Sequence, residues 1–291
     1  MTNQYELVGE EFVMGYRQQN VWTQWIALAF FFGKIGSGLF IISIFMGTPI
    51  IAVCGLIIEN LFKGGSLMIH LGRPERFWRA LTRPQTSWIA RTVWAMGIFT
   101  VIGVIFLVLP TGTVIWEIFR VLALICAIIV AITDGFVVND SSAIPLWNTP
   151  ILPLLFLLYS LLGGTTLFIF MNAIGWVTIA QPYFLEAIEV GLIVVNLVAV
   201  LVYLMSIANA TYAARKSLKL LIREQYAAAF YTLVIAVGFI ATLLLLLVFG
   251  ATGGPLVITF ITLADLTGHY FIFYLLLMSG VYSPPLGTLS L

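Results

Sequence analysis

Eight stretches of the chain each run for about twenty residues with almost no charge, the length that a helix needs to cross a hydrocarbon core of roughly 30 Å. They lie near 22–46, 50–70, 88–109, 116–137, 150–173, 183–208, 226–249 and 255–278, each bounded by polar or turn-forming residues. Runs this long and continuously apolar do not fit the roughly ten-residue alternating strands of a membrane barrel. The expected fold class is an all-α integral membrane protein of about eight transmembrane helices arranged as helical bundles. Hydrophobic residues make up 62% of the 291 and charged residues 9%, which excludes an ordinary soluble domain. The expected organisation is an N-terminal segment 1–21, a transmembrane domain 22–278 with a first bundle about 22–137 and a second about 150–278, and a tail 279–291.

An even number of spans puts both termini on one face, here side A, with the loops near 71–87, 138–149 and 209–225. Those loops hold Arg73, Arg76, Arg79, Arg83, Arg215, Lys216, Lys219 and Arg223, whereas the side B connections near 47–49, 110–115, 174–182 and 250–254 hold no lysine or arginine. Lysine and arginine bias in short loops predicts a cytoplasmic side A, and so a multi-pass protein of the cell membrane with cytoplasmic termini. The opening residues carry Glu6, Glu10 and Glu11 against one basic residue, Arg17, and lack the cationic start of a cleaved signal peptide, so this segment is expected to be retained. Two basic clusters plus a long N-terminal segment favour protein docking on side A over contact with lipid headgroups alone. Trp78, Trp88 and Trp147 are expected in an interfacial aromatic belt. Gly33, Gly36, Gly38, Gly64, Gly65, Gly163 and Gly164 are expected to let helices approach closely.

Charged groups within the spans are costly and mark function by default. Glu59, Lys63, Ser66 and His70 recur at helical spacing in the second span and predict one polar face running towards side A. Thr262, Asp265 and His269 repeat the idea in the eighth span, Lys34 falls in the first and Asp134 in the fourth, and Glu117, Arg120, Glu186 and Glu189 lie towards side B. Lys34, Glu59, Lys63, Asp265, His269, Glu186 and Glu189 are the expected proton path. The competing expectation is static buried pairing, of Glu59 with Lys63 and of Lys34 with Asp265 or another acid. Cys54 and Cys126 stand singly in apolar runs, and His70 and His269 lie at different depths. No haem, iron-sulphur cluster, flavin or metal ion is therefore expected on this chain, and no catalytic residue of its own.

The loop after the second span reads His70-Leu71-Gly72-Arg73-Pro74-Glu75-Arg76-Phe77-Trp78-Arg79-Ala80, then Thr86-Ser87-Trp88-Ile89-Ala90-Arg91. Further on stand Ile144-Pro145-Leu146-Trp147-Asn148-Thr149-Pro150 and Pro153-Leu154-Leu155-Phe156, and near the start Trp22-Thr23-Gln24-Trp25-Ile26-Ala27. In these motifs, and in their order, the chain resembles the polysulfide reductase membrane subunit (NrfD) family. The resemblance implies a membrane anchor of a respiratory oxidoreductase, not catalytic alone, that exchanges electrons between a quinone, by expectation menaquinone, and a ferredoxin-like iron-sulphur subunit. That subunit would couple to a molybdenum- or tungsten-type catalytic subunit, and no nucleic acid is implied. His70 matches the family histidine placed beside the quinone headgroup, with Asn20, Thr23, Gln24 and Asp134 as further expected quinone contacts and Arg73, Arg76 and Arg79 as the docking rim. The chain departs from the family pattern at Thr23, where a histidine is frequent, and at Thr133, where a tyrosine is frequent. A structural anchor without quinone turnover and an ion-coupled secondary transporter stay open as other readings.

Overall fold

The computed structural model describes residues 6–8, 11–13, 16–178, 182–250 and 253–283. Eight helices in it are long and apolar enough to span a membrane: Gln24–Phe45, Pro49–His70, Trp88–Val108, Val114–Asn139, Ile151–Ala173, Pro182–Ala208, Ala227–Phe249 and Pro255–Met278. The protein is an all-α membrane protein, as the apolar runs predict. Ahead of the first span, Glu6–Val8 and Glu11–Val13 form a short antiparallel ladder. The C-terminal tail beyond Ser283 lies outside the described residues.

The first span is the structural axis. Some 78% of its most apolar window is buried against other helices, compared with 22% for the third span. It packs against the second, fourth, fifth and eighth spans. Its closest neighbour is the fifth span: a methyl group added at Gly38 or Gly164 would run into the opposing backbone. In lipid, where apolar burial no longer discriminates between neighbours, such backbone proximity is what holds two helices together. Ser37 and Ser160 add a hydrogen bond of 2.9 Å across the same contact. Gly64 and Gly65 have open space around them, so they do not serve the close packing expected of them, and the second span runs on past them to His70.

Two spans contain widened turns. Ile58–Lys63 in the second and Phe230–Ala241 in the seventh are π-helical, a geometry in which i→i+5 bonding replaces i→i+4. The second of these faces the eighth span through Gly238 and Gly268.

Side A is closed by interlocked loops. Gln19 is 5% exposed; its side-chain nitrogen donates to the carbonyls of Trp22 and Leu277, and its side-chain oxygen accepts from the backbone of Val21 and Trp22. Gln18 reaches Tyr226 and the Met278 carbonyl. The N-terminal segment is thereby stitched to the end of the eighth span. Trp147 is 1% exposed and donates to the Leu276 carbonyl at 2.9 Å. It is thus a core residue packed on Trp22 and does not join the interfacial belt expected of it, because the loop that carries it folds inwards under Tyr203, whose hydroxyl donates to Leu146. The short helix Tyr212–Ile222 lies between the sixth and seventh spans with Ala213, Ala214, Ser217, Leu218 and Leu221 buried, and it shows Arg215 and Lys219 to solvent.

Candidate functional site

At the side A end of the first four spans lies a cavity of about 270 Å³. Trp22, Ile26 and Phe30 come from the first span and the turn before it, Met68 and His70 from the second, Thr92 and Met96 from the third, and Asp134 and Val137 from the fourth. Phe77 and Ala80 of the connecting loop cover it. The lining is apolar apart from a few groups, the general character of a small-molecule site. Its polar groups are His70, Thr92 and Asp134. The Thr92 hydroxyl is buried and has no hydrogen-bond partner, an arrangement that proteins rarely leave in place without a ligand or water to satisfy it.

His70 is half-buried at the end of the second span. The Thr23 hydroxyl stands 3.3 Å from its Nδ1. With that hydroxyl donating, the neutral ring carries its proton on Nε2. Thr23, in the turn before the first span, thus contacts the imidazole through its hydroxyl.

Asp134 links the cavity to a buried charge network. Its Oδ2 accepts from Lys34 at 2.9 Å and from Lys63 at 2.8 Å, and Lys63 also donates to Glu59 Oε1 at 2.7 Å. Lys34 completes its donors on the carbonyls of Ala131, at 2.7 Å, and Val130, at 3.4 Å. All four side chains are at most 3% exposed. Two cations and two carboxylates leave no net charge, the condition under which ions persist in a low-dielectric interior. The partner of Lys34 is therefore Asp134 and not Asp265. The widened turn at Ile58–Lys63 carries both Glu59 and Lys63, and Gly33 makes room for the lysine: a Cβ there would stand 2.8 Å from Lys63 Cδ.

The remaining expected residues fall elsewhere. Asn20, Thr23 and Gln24 line a second, more open cavity beside Trp25, Tyr274 and Met278; Trp22 forms a wall of both. Asp265, Glu189 and His269 form a separate cluster, with the Thr166 hydroxyl 2.6 Å from Glu189 Oε1 and 3.0 Å from Asp265 Oδ2. Between this cluster and Lys34 stand the rings of Phe156 and Phe273: Lys34 Nζ lies 5.3 Å from the Phe156 centroid, the two rings are 4.7 Å apart, and Phe273 is 5.4 Å from His269. The expected trail of protonatable groups is thus two clusters joined by aromatic rings. Glu186 precedes Glu189 by one helical turn, and Glu117 with Arg120 makes a half-exposed pair at 2.7 Å.

Arg73, Arg76 and Arg79 are exposed on the loop over the cavity. Arg91 holds this loop, donating to the Pro84 and Gln85 carbonyls at 2.8 and 2.6 Å while lying over the Trp88 ring. The Trp94 indole donates to the Leu81 carbonyl. Thr92, Thr166 and Tyr159 are the site residues that sequence reasoning passed over. The only signal for Thr92 was its position one residue beyond the Trp88-Ile89-Ala90-Arg91 motif.

A cavity roofed by a basic loop at one end of eight apolar helices, backed by balanced charges buried between them, defines a multi-pass membrane protein. Residues 13–285, nearly the whole chain, match the family model described as Polysulphide reductase, NrfD, and the chain belongs to that family. The family supplies quinone-associated membrane subunits of respiratory oxidoreductase complexes, generally alongside iron-sulphur and molybdenum catalytic subunits. No curated protein matches the chain.

Proposed function

We propose that this chain is the quinone-reactive membrane anchor of a respiratory oxidoreductase, passing electrons between a quinone in the His70 cavity and an iron-sulphur subunit docked on side A. The observation that carries the reading is the coincidence, in one apolar cavity, of His70, the unpartnered Thr92 hydroxyl and Asp134. Those groups fit a quinone headgroup: His70 Nε2–H and the Thr92 hydroxyl are donors for its carbonyls, and Trp22, Phe30 and Phe77 are ring surfaces suited to the fused rings of menaquinone. When bound, a quinone supplies a two-way electron store that takes up protons as it is reduced.

The chain's own residues then have distinct tasks. His70 orients a carbonyl and exchanges a proton at Nε2, with Thr23 fixing the ring. Asp134 holds the Lys34 and Lys63 ammonium groups beside the cavity, and Glu59, Lys63 and Lys34 are the residues through which protons would move on from it. Arg73, Arg76 and Arg79 present positive charge to an acidic partner face, on the loop that covers the cavity. The partner would be a ferredoxin-like iron-sulphur subunit, itself joined to a molybdenum- or tungsten-type catalytic subunit, in the cytoplasmic membrane with side A inward.

The test is binding of a menaquinone analogue to the purified complex. His70→Ala is expected to weaken it by roughly tenfold, the loss of about 1.4 kcal/mol of hydrogen bonding. Asn20→Ala, in the neighbouring cavity, is expected to leave it unchanged. Wild-type affinity in the His70 variant would overturn the assignment.

A further inference from the structure

The sixth and eighth spans bring two carboxyls to one hydroxyl, away from the His70 cavity. Thr166 Oγ1 lies 2.6 Å from Glu189 Oε1 and 3.0 Å from Asp265 Oδ2. A threonine hydroxyl has a single hydrogen to donate. If it donates to Glu189, the contact with Asp265 is a hydrogen bond only when Asp265 carries a proton and donates to the hydroxyl oxygen; the converse holds with the roles reversed. Glu189 is 1% and Asp265 3% exposed. Two like charges this close in a dry interior are the arrangement that carboxyl pairs avoid by keeping a proton.

A second observation points to the same place. His269 is 1% exposed, and neither ring nitrogen has a partner; the buried Tyr159 hydroxyl and Glu189 Oε2 have none either. Tyr159, Asp265 and His269 line one narrow crevice, walled by Gly238 and Gly268. His269 follows Asp265 by one helical turn, on the same face. The other charged groups near it are Glu186, one turn before Glu189, and Lys34, beyond the Phe156 and Phe273 rings.

We propose that Glu189, Thr166 and Asp265 form a proton-binding site that holds one exchangeable proton between two carboxyls, with His269 as its exchange partner. In the exchange the Asp265 O–H bond breaks and an imidazole N–H bond forms, so a neutral acid and neutral ring become a carboxylate and an imidazolium; nothing is oxidised or reduced. The site deepens the proton-handling part of the proposed function and rests on that reading only for the origin of its protons.

Infrared difference spectroscopy on the intact complex, in water and in heavy water, tests it. The expected result at neutral pH is a carbonyl band of a protonated carboxylic acid that shifts in heavy water, disappears in Asp265→Asn or Glu189→Gln, and moves in Thr166→Val. The heavy-water shift needs no variant, so poor folding of a mutant cannot hide it. His70→Ala is expected to keep the band, which separates failure of this site from failure of the quinone reading. A wild-type spectrum with no such band, or a band indifferent to both carboxyl variants, would overturn the proposal.

Discussion

At the residue scale, Asp134 is the position on which most depends. It is the common acceptor of two buried lysines and also borders the cavity. Asp134→Asn is expected to leave one carboxylate for two cations and to cost about 3–5 kcal/mol, the range for breaking a buried ion pair from one side. Lys34→Met with Asp134→Leu, which removes one charge of each sign and keeps the Lys63–Glu59 pair, is expected to restore much of that. Thermal unfolding of the detergent-purified chain measures both; a double variant no more stable than Asp134→Asn would refute the charge-balance account. Asp134 and Lys34 were visible in the sequence because a charge within an apolar run has no bland place to go. Thr92 and Thr166 were not, because a threonine in a membrane helix ordinarily donates to the carbonyl one turn back. Thr100, Thr232, Thr259 and Thr267 all do so here, and nothing in the letter T separates those from Thr166 with its two carboxyls.

Among the elements, the spans were the most legible part of the chain, since bilayer thickness sets their length and leaves little freedom at their ends. The widened turns were hidden. Ile58–Lys63 reads as ordinary helix in an apolar pattern, and only the contacts made by Glu59 and Lys63 reveal why a broader turn is useful there. Glycine is likewise ambiguous until its neighbours are known. Gly38→Leu is expected to force the first and fifth spans apart and to abolish stable accumulation of the protein in membranes. Gly64→Ala and Gly65→Ala, which meet nothing, are expected to be neutral or to stabilise by up to about 1 kcal/mol, the intrinsic helical preference for alanine. Membrane levels of the Gly38 variant and melting temperatures of the two alanine variants check the contrast, and a destabilised Gly64→Ala would refute the reading of open space there.

For the molecule as a whole, the asymmetry of its two faces is the organising feature. Cavity, basic loop and the contact of Gln18 and Gln19 with the end of the eighth span share side A, while the side B connections carry no lysine or arginine. The loop charges predict a cytoplasmic side A. Alkaline phosphatase fused after Leu291 is expected to be inactive, and a fluorescent protein there to be bright; an active phosphatase would place the partner subunits on the far side. The interlocking of Gln18 and Gln19 with the end of the eighth span could not be foreseen, because glutamines in a loop carry no signature of the carbonyls they will find. The axial position of the first span also bears on how the protein is made. Lys34 enters the bilayer as soon as that helix leaves the translocon, yet Asp134, the carboxylate that balances it, belongs to a span synthesised later. Until the fourth helix arrives the nascent chain carries a stranded cation, so biogenesis has a vulnerable interval during which the young helix must be shielded by the insertion machinery or be removed by membrane proteases.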